Sequence, residues 1–285
     1  MKVKLCVILA VIICLTGCGT KAPKTASSVG NINFVASNVS DVSFIMDQTK
    51  TAAIQKAEEV AEQIRVEQEQ KNPRKGYLIA IDAGHQAQGN SEKEPIGPGA
   101  TESKAKVAGG TRGVVTGIPE YELTLQVSLK LRDALEEKGY QVLMIRETND
   151  VNISNAERAT VANEAGVNAF IRIHADGSES SSAAGMMTIC QTPSNPYNGE
   201  LYQQSRALAD CILNQTAAAT GGVKRNVWET DTMSGINWAK VPTTILEMGF
   251  MTNPSEDQQM ASEDYQMKIV EGIVRGMDAF FGIEE

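Results

Sequence analysis

The chain has 285 residues, 42% of them apolar and 21% charged, with a formal charge of −9. That size and mix suit one sizeable globular domain with appendages, and exclude collagen-like, mucin-like and wholly disordered chains. The acidic balance and the absence of a long Lys/Arg run argue against nucleic acid as a partner; no window of about 20 apolar residues follows the signal-like start, which excludes a polytopic membrane protein.

Lys2 and Lys4 precede an unbroken apolar run from Leu5 to Leu15, the pattern of a secretory signal. The run is short for a membrane-spanning helix. It ends in Leu15-Thr16-Gly17-Cys18, which resembles the lipobox of bacterial lipoproteins. The resemblance implies lipid on the Cys18 sulfur, cleavage before Cys18 and acylation of the new amino terminus. It places the exported protein on the outer face of the bacterial cytoplasmic membrane. Losing residues 1–17 removes two lysines and no acid, which takes the formal charge from −9 to −11. Anionic lipid then offers little attraction, and the acyl chains are the anchor. Of the five cysteines, only Cys190 and Cys211 remain for the folded domain. Export permits a disulfide between them, but a domain of this size needs no staple, and two buried thiols are the favoured reading.

Residues 18–40 are rich in Ser, Thr, Asn, Gly and Ala and read as a flexible tether. Residues 41–75 read as a helical spacer: Ala53, Ile54, Ala57, Val60, Ala61 and Ile64 recur at helical spacing until Asn72-Pro73 stops the pattern. The domain proper runs from 76 to 285. Tyr77 to Ile81 predicts a buried strand, and residues 86–117, rich in Gly, Pro and Ser, a long connection forming a wall or gate beside a site. Leu123, Val127, Leu131, Ala134 and Leu135 share one helix face, closed by Gly139. Then follow strand 140–145, helix 153–165, strands 168–173 and 186–191, helix 200–219, strand 243–246 and two final helices, the second from about 264 to 281. The alternation predicts an α/β domain with a mostly parallel central sheet and helices on both faces.

In such sheets reactive groups gather beyond the carboxyl ends of strands. Three polar sites fall there: Asp82-Ala83-Gly84-His85, His174-Ala175-Asp176 and Glu247-Met248-Gly249-Phe250. His85 and His174 are the chain's two histidines, and both end strands on one edge. Catalytic zinc is often held by two imidazoles and one carboxylate. Glu120, at the start of the helix after the long connection, is the candidate third ligand, with Glu122 as competitor. Each residue also has a plainer role: a hydrogen-bonded histidine, a Glu120 favoured by the helix dipole, or a Glu247 paired with Arg146 or Arg172. The two histidines taken jointly favour the metal.

Several blocks, in order, resemble the zinc-dependent N-acetylmuramoyl-L-alanine amidases of the Amidase_3 type. They are Ile79-Ala80-Ile81-Asp82-Ala83-Gly84-His85; Glu120 followed by Leu129 to Arg132; Arg146-Glu147-Thr148-Asn149-Asp150; Glu157-Arg158-Ala159 with Asn163; Ile171 to Asp176; and Leu246-Glu247-Met248-Gly249-Phe250. The likeness spans about residues 76 to 283. It implies Zn2+ held by His85, Glu120 and His174, with Glu247 as the catalytic base, and hydrolysis of the amide joining muramic acid to L-alanine in peptidoglycan. Gln86-Ala87 stands where many members carry Gly-Gly. Asp82 either orients His85 or is structural, and Arg172 receives no role. Two other functions compete: a different zinc peptidase of the wall, and a wall-binding lipoprotein without activity. The need for a protein activator is left open.

Overall fold

The structure is a computed structural model; it describes Thr51 and residues 54–56, 58–63 and 71–284. The signal, Cys18 and the tether lie outside the described residues. Thr51 and residues 54–56 and 58–63 are helical, and belong to a unit separate from that of residues 64–285.

The larger unit is built on eight strands: β1 (Leu78–Ala83), β2 (Asn90–Pro95), β3 (Ser103–Val107), β4 (Gln141–Met144), β5 (Ala169–Asp176), β6 (Met186–Cys190), β7 (Lys224–Glu229) and β8 (Thr243–Phe250). Its helices are α1 (Glu120–Lys138), α2 (Asn155–Glu164), α3 (Tyr202–Thr220), α4 (Ser234–Asn237), α5 (Pro254–Met260) and α6 (Glu263–Phe280). Six strands form one sheet in the order β4-β1-β5-β8-β6-β7. Neighbours run parallel except β6 against β8. The sheet is mostly parallel, as the alternation predicted.

Side-chain alternation divides the core. Ile79, Ile81, Ile171, Ile173, Leu246 and Met248 point to one face, where Leu123, Val127 and Leu131 of α1, Leu208 and Ile212 of α3, and Ile269 and Ile273 of α6 meet them. Ala80 and Phe170 point to the other, under Ala159 and Ala162 of α2, with Val241 beside them. Buried strand pairs with helices on both faces leave only the strand ends open for chemistry. Gly139 closes α1 in the left-handed conformation, with its N–H bonded to the Glu136 and Leu135 carbonyls. A capping box of Ser154 and Glu157 starts α2.

Three expectations need correction. Residues 86–117 are not one irregular connection, for β2 and β3 pair antiparallel inside it. Asn-Ser-Glu-Lys-Glu-Pro carries no apolar alternation because most of β2 is exposed. The hairpin is fastened: the Glu94 carboxylate accepts from the Ala156 N–H at 3.2 Å, Asn155 donates to the Lys106 carbonyl at 2.9 Å, Lys104 to the Thr232 carbonyl at 2.7 Å and Trp238 to the Pro95 carbonyl at 2.9 Å. Edge strand β7 escaped detection for the same reason, being largely exposed and rich in charge. Finally, β5 and β8 run past their apolar stretches, with His174 opposite Glu247 and Asp176 opposite Phe250. Both groups therefore lie within strands rather than after them. Cys190 on β6 and Cys211 on α3 are free thiols; Cys190 is buried and Cys211 only half-buried.

Candidate metal centre

His85 lies two residues beyond β1. Its backbone takes a left-handed φ of 60°, a conformation uncommon for a residue with a side chain and one that concentrates at functional sites. Two buried arginines hold it there. Arg158 donates to the His85 carbonyl at 3.0 Å and to the Gln86 side-chain oxygen at 2.9 Å. Arg146 donates to the carbonyls of Ala83 at 2.8 Å, Gly84 at 2.9 Å and Tyr121 at 2.8 Å. The last contact reaches the first turn of α1, so one guanidinium sets the spacing between His85 and the helix that carries Glu120. Gln86 is buried and also accepts from the Ile153 N–H at 3.1 Å. It anchors the segment after His85 rather than opening space beside it.

The ring of His85 is oriented by the Ala108 carbonyl, 2.8 Å from Nδ1. A carbonyl can only accept, so Nδ1 carries the proton and Nε2 presents its lone pair. His85 Nε2 is 3.0 Å from Glu120 Oε1; His174 Nδ1 is 3.2 Å from Glu120 Oε1 and 3.2 Å from His85 Nε2. The three ligand atoms thus form a nearly equilateral triangle. Four ligands at ordinary zinc distances around a tetrahedral ion stand about 3.3 Å apart, so the triangle has the edge lengths of such a shell. Glu120 is 3% exposed, whereas Glu122 is exposed, which settles the helix register in favour of Glu120. Its carboxylate is steadied by the N–H groups of Ala175 at 3.1 Å and Thr111 at 2.9 Å. His174 lies flat over Gly84; a Cβ there would come within 2.5 Å of the ring.

Burial competes with contacts inside the group in setting the protonation states. It would raise Glu120, but hydrogen bonds with His174 and His85 outweigh it and hold the carboxyl well below its usual range. Burial lowers His174 to about 4, with His85 adding to the effect despite Glu120. Burial also opposes protonation of His85, yet its contacts with Glu120 prevail and raise it. Two imidazole nitrogens and one carboxylate are the donor set a divalent ion takes, the ion displacing the protons shared among them.

Glu247, opposite His174 in the β5–β8 register, completes the group. It is not paired with Arg146 or Arg172, and its Oε2 is buried without a hydrogen-bond partner. Burial, then the neighbouring Glu120 and Asp176 charges, raise its pKa well above the ordinary value. A carboxyl whose affinity for a proton is raised in this way is suited to acid–base work.

Asp82 does not orient His85, nor does it sit in a turn. It is an interior residue of β1, fully buried, with Arg158 Nη1 at 2.6 Å and Arg172 Nε at 2.9 Å. Arg172 shares the sheet face of His174 and Glu247 by strand alternation, and also reaches Asn155 at 2.7 Å. In the sequence Arg146 and Arg158 stand within the family-like blocks, Arg146 with no role beyond a candidate pairing with Glu247 and Arg158 with none. Their partners in the segment from Asp82 to Gln86 lie 62 to 76 residues away, and only the conjunction of buried arginines with strand ends could have signalled the role.

A mostly parallel α/β domain whose strand ends bring two imidazoles, and whose first helix brings a carboxylate, to one point beside a second protonatable carboxyl is built like a hydrolase with a metal centre. The chain belongs to the Amidase_3 family of N-acetylmuramoyl-L-alanine amidases, whose model matches residues 79–279. It is 30% identical to the uncharacterized protein YqiI of Bacillus subtilis over 209 residues, 73% of this chain and 87% of that one. It is 29% identical over 220 residues to the N-acetylmuramoyl-L-alanine amidase Rv3717 of Mycobacterium tuberculosis, covering 73% and 88%. Among solved structures it resembles the amidase Ami1 of Mycobacterium smegmatis, with a TM-score of 0.65, 28% identity and coverage of 73% and 97%.

Proposed function

We propose that the protein is a zinc-dependent cell-wall amidase that hydrolyses the bond between N-acetylmuramic acid and the L-alanine of the peptidoglycan stem peptide. The observation that carries this reading is the convergence of His85 Nε2, Glu120 Oε1 and His174 Nδ1 at 3.0–3.2 Å, with Glu247 in register beside them. Zn2+ held by these three residues would supply a Lewis acid that polarises the amide carbonyl and makes water a better nucleophile at neutral pH. Glu247 takes the proton from the attacking water and delivers it to the departing L-alanine amine. Its burial beside Glu120 and Asp176 favours the protonated form that the second half of this cycle requires. Ala108, Arg146 and Arg158 act earlier, fixing the ring and backbone of His85 so that no reorganisation is needed on substrate binding.

The Leu15-Thr16-Gly17-Cys18 sequence supports lipid attachment at Cys18 and placement on the outer face of the cytoplasmic membrane, within reach of peptidoglycan. The deciding experiment is digestion of purified sacculi by the zinc-loaded protein, followed by mass spectrometry. Free stem peptides beginning with L-alanine, with intact glycan, are the expected products. Cleaved cross-links on intact muramyl peptides would identify an endopeptidase, and undigested sacculi a binding protein.

A further inference from the structure

Because β6 and β7 run against the other four strands of the main sheet, the beginning of β7 lies at the sheet end where β5 and β8 finish. Arg225 is the second residue of β7. Its guanidinium carbon stands 5.1 Å from the centre of the Phe250 ring, and Nη1 is 3.5 Å from the Met187 sulfur. Met187 in turn pairs with Glu247 across the β6–β8 ladder. Asp176 Oδ2 is a loose ion-pair partner at 4.0 Å, too far for a hydrogen bond, and the Arg225 side chain is 38% exposed. Gly185 makes room for it: with φ at 103°, a Cβ there would lie 3.0 Å from the Arg225 Cγ and 2.7 Å from the Val223 carbonyl.

Arg225 therefore differs from Arg146, Arg158 and Arg172, whose donors are spent on buried carbonyls and carboxylates. Its fork is steadied by a ring and a thioether, neither of which consumes its N–H groups strongly, and it opens to solvent beside the candidate metal centre. The surroundings are otherwise acidic, with Glu120, Asp176 and Glu247 at the same sheet end. An anionic substrate reaching Glu247 needs a compensating cation, and a planar guanidinium recognises a carboxylate through two parallel hydrogen bonds.

Reach fixes which carboxylate. Asp176 follows His174 by two residues, roughly 7 Å along the strand, so the Arg225 guanidinium stands on the order of 10 Å from the His–Glu group. An extended peptide advances about 3.3–3.6 Å per residue. With the amide of L-alanine at Glu247, two residues cover about 7 Å, and the hydrogen bonds from the guanidinium to an acidic group on the second residue, roughly 3 Å, cover the rest. We propose that Arg225 is a specificity residue that binds the free carboxylate of the second stem-peptide residue. This rests on the amidase reading above.

The test uses zinc-loaded protein and two synthetic muramyl peptides that differ only at the second residue, one with a free carboxylate and one with the corresponding carboxamide. Arg225→Ala should lower kcat/KM for the acid about 10- to 100-fold, mainly through KM, and leave the carboxamide near its wild-type value. Arg225→Lys should keep part of the preference, because it retains the charge without the fork. Zinc content and melting temperature should be those of wild type in both variants. Equal losses on the two peptides would show a structural role and overturn the proposal, as would no loss on the acid. A zinc-loaded wild type that cleaves neither peptide would overturn the amidase reading and this proposal with it, a result distinct from cleavage of both without preference, which would overturn the specificity role alone.

Discussion

Replacing Asp82 by Asn removes the charge between two buried guanidiniums. The carboxylate is fully buried, 2.6 Å from Arg158 and 2.9 Å from Arg172. Taking one partner from a buried ion pair costs about 3–5 kcal/mol, chiefly because the remaining charge is left uncompensated. For a domain with a urea m-value of ~3 kcal/mol/M, the unfolding midpoint at neutral pH should fall by about 1 M or more. Acid supplies an independent check. Burial alone would raise the Asp82 pKa, but Arg158 and Arg172 outweigh it and lower it from 3.8 to about 2. A depressed carboxyl contributes stability that is present in full above the unfolded pKa and lost as pH falls through the folded one. The shift corresponds to about 2 kcal/mol, draining between about pH 4 and pH 2. Urea titrations of wild type and Asp82→Asn over that range should show the gap narrowing with acidification. Equal midpoints at pH 7, or a gap that stays constant down to pH 2, would refute the assignment of Asp82 as the charge that neutralises this pair.

Glu247→Gln should keep zinc and fold while turnover on muropeptides drops at least about 10²- to 10⁴-fold, because the amide cannot accept a proton; zinc loss, measured by elemental analysis, would make Glu247 a ligand instead. His174→Ala and Glu120→Ala should each lose zinc and activity together, whereas Glu122→Ala, which alters an exposed position, should lose neither. Cys18→Ser should abolish incorporation of a fatty-acid analogue in cells and leave the zinc content of the purified domain unchanged; equal labelling of both forms would remove the lipid anchor.

The apolar runs and the alternation of elements were enough to read five of the sheet's six strands and both helical layers, and the two histidines pointed to the metal, whereas the choice of Glu120 over Glu122 came from the family resemblance. Buried strands announce themselves because both their faces must be apolar, and scarcity made the histidines conspicuous. Strands β2 and β7 gave no such signal, since strands that face solvent carry Lys, Glu and Arg and follow no apolar period. The ends of β5 and β8 were missed because polar functional residues interrupt the apolar run while backbone pairing continues beneath them. Asp82 read either as an orienter of His85 or as a structural residue, and it is a strand residue whose charge is answered from α2 and β5. No local pattern reports such a pairing, because the partners are 76 and 90 positions away.

The fastened hairpin bears on how an enzyme meets a solid. A cross-linked wall does not tumble, so every encounter depends on the orientation and readiness of the protein that approaches it. Ordering a loose segment would cost about 1–2 kcal/mol for each backbone residue fixed on contact. Here β2 and β3 are already bonded to α2, to Thr232 and to Trp238, and the turn just beyond β3 supplies the carbonyl that aims His85. Collision with an immobile strand of substrate therefore finds this rim of the molecule formed in advance, and the energy of contact is free to act on the amide itself.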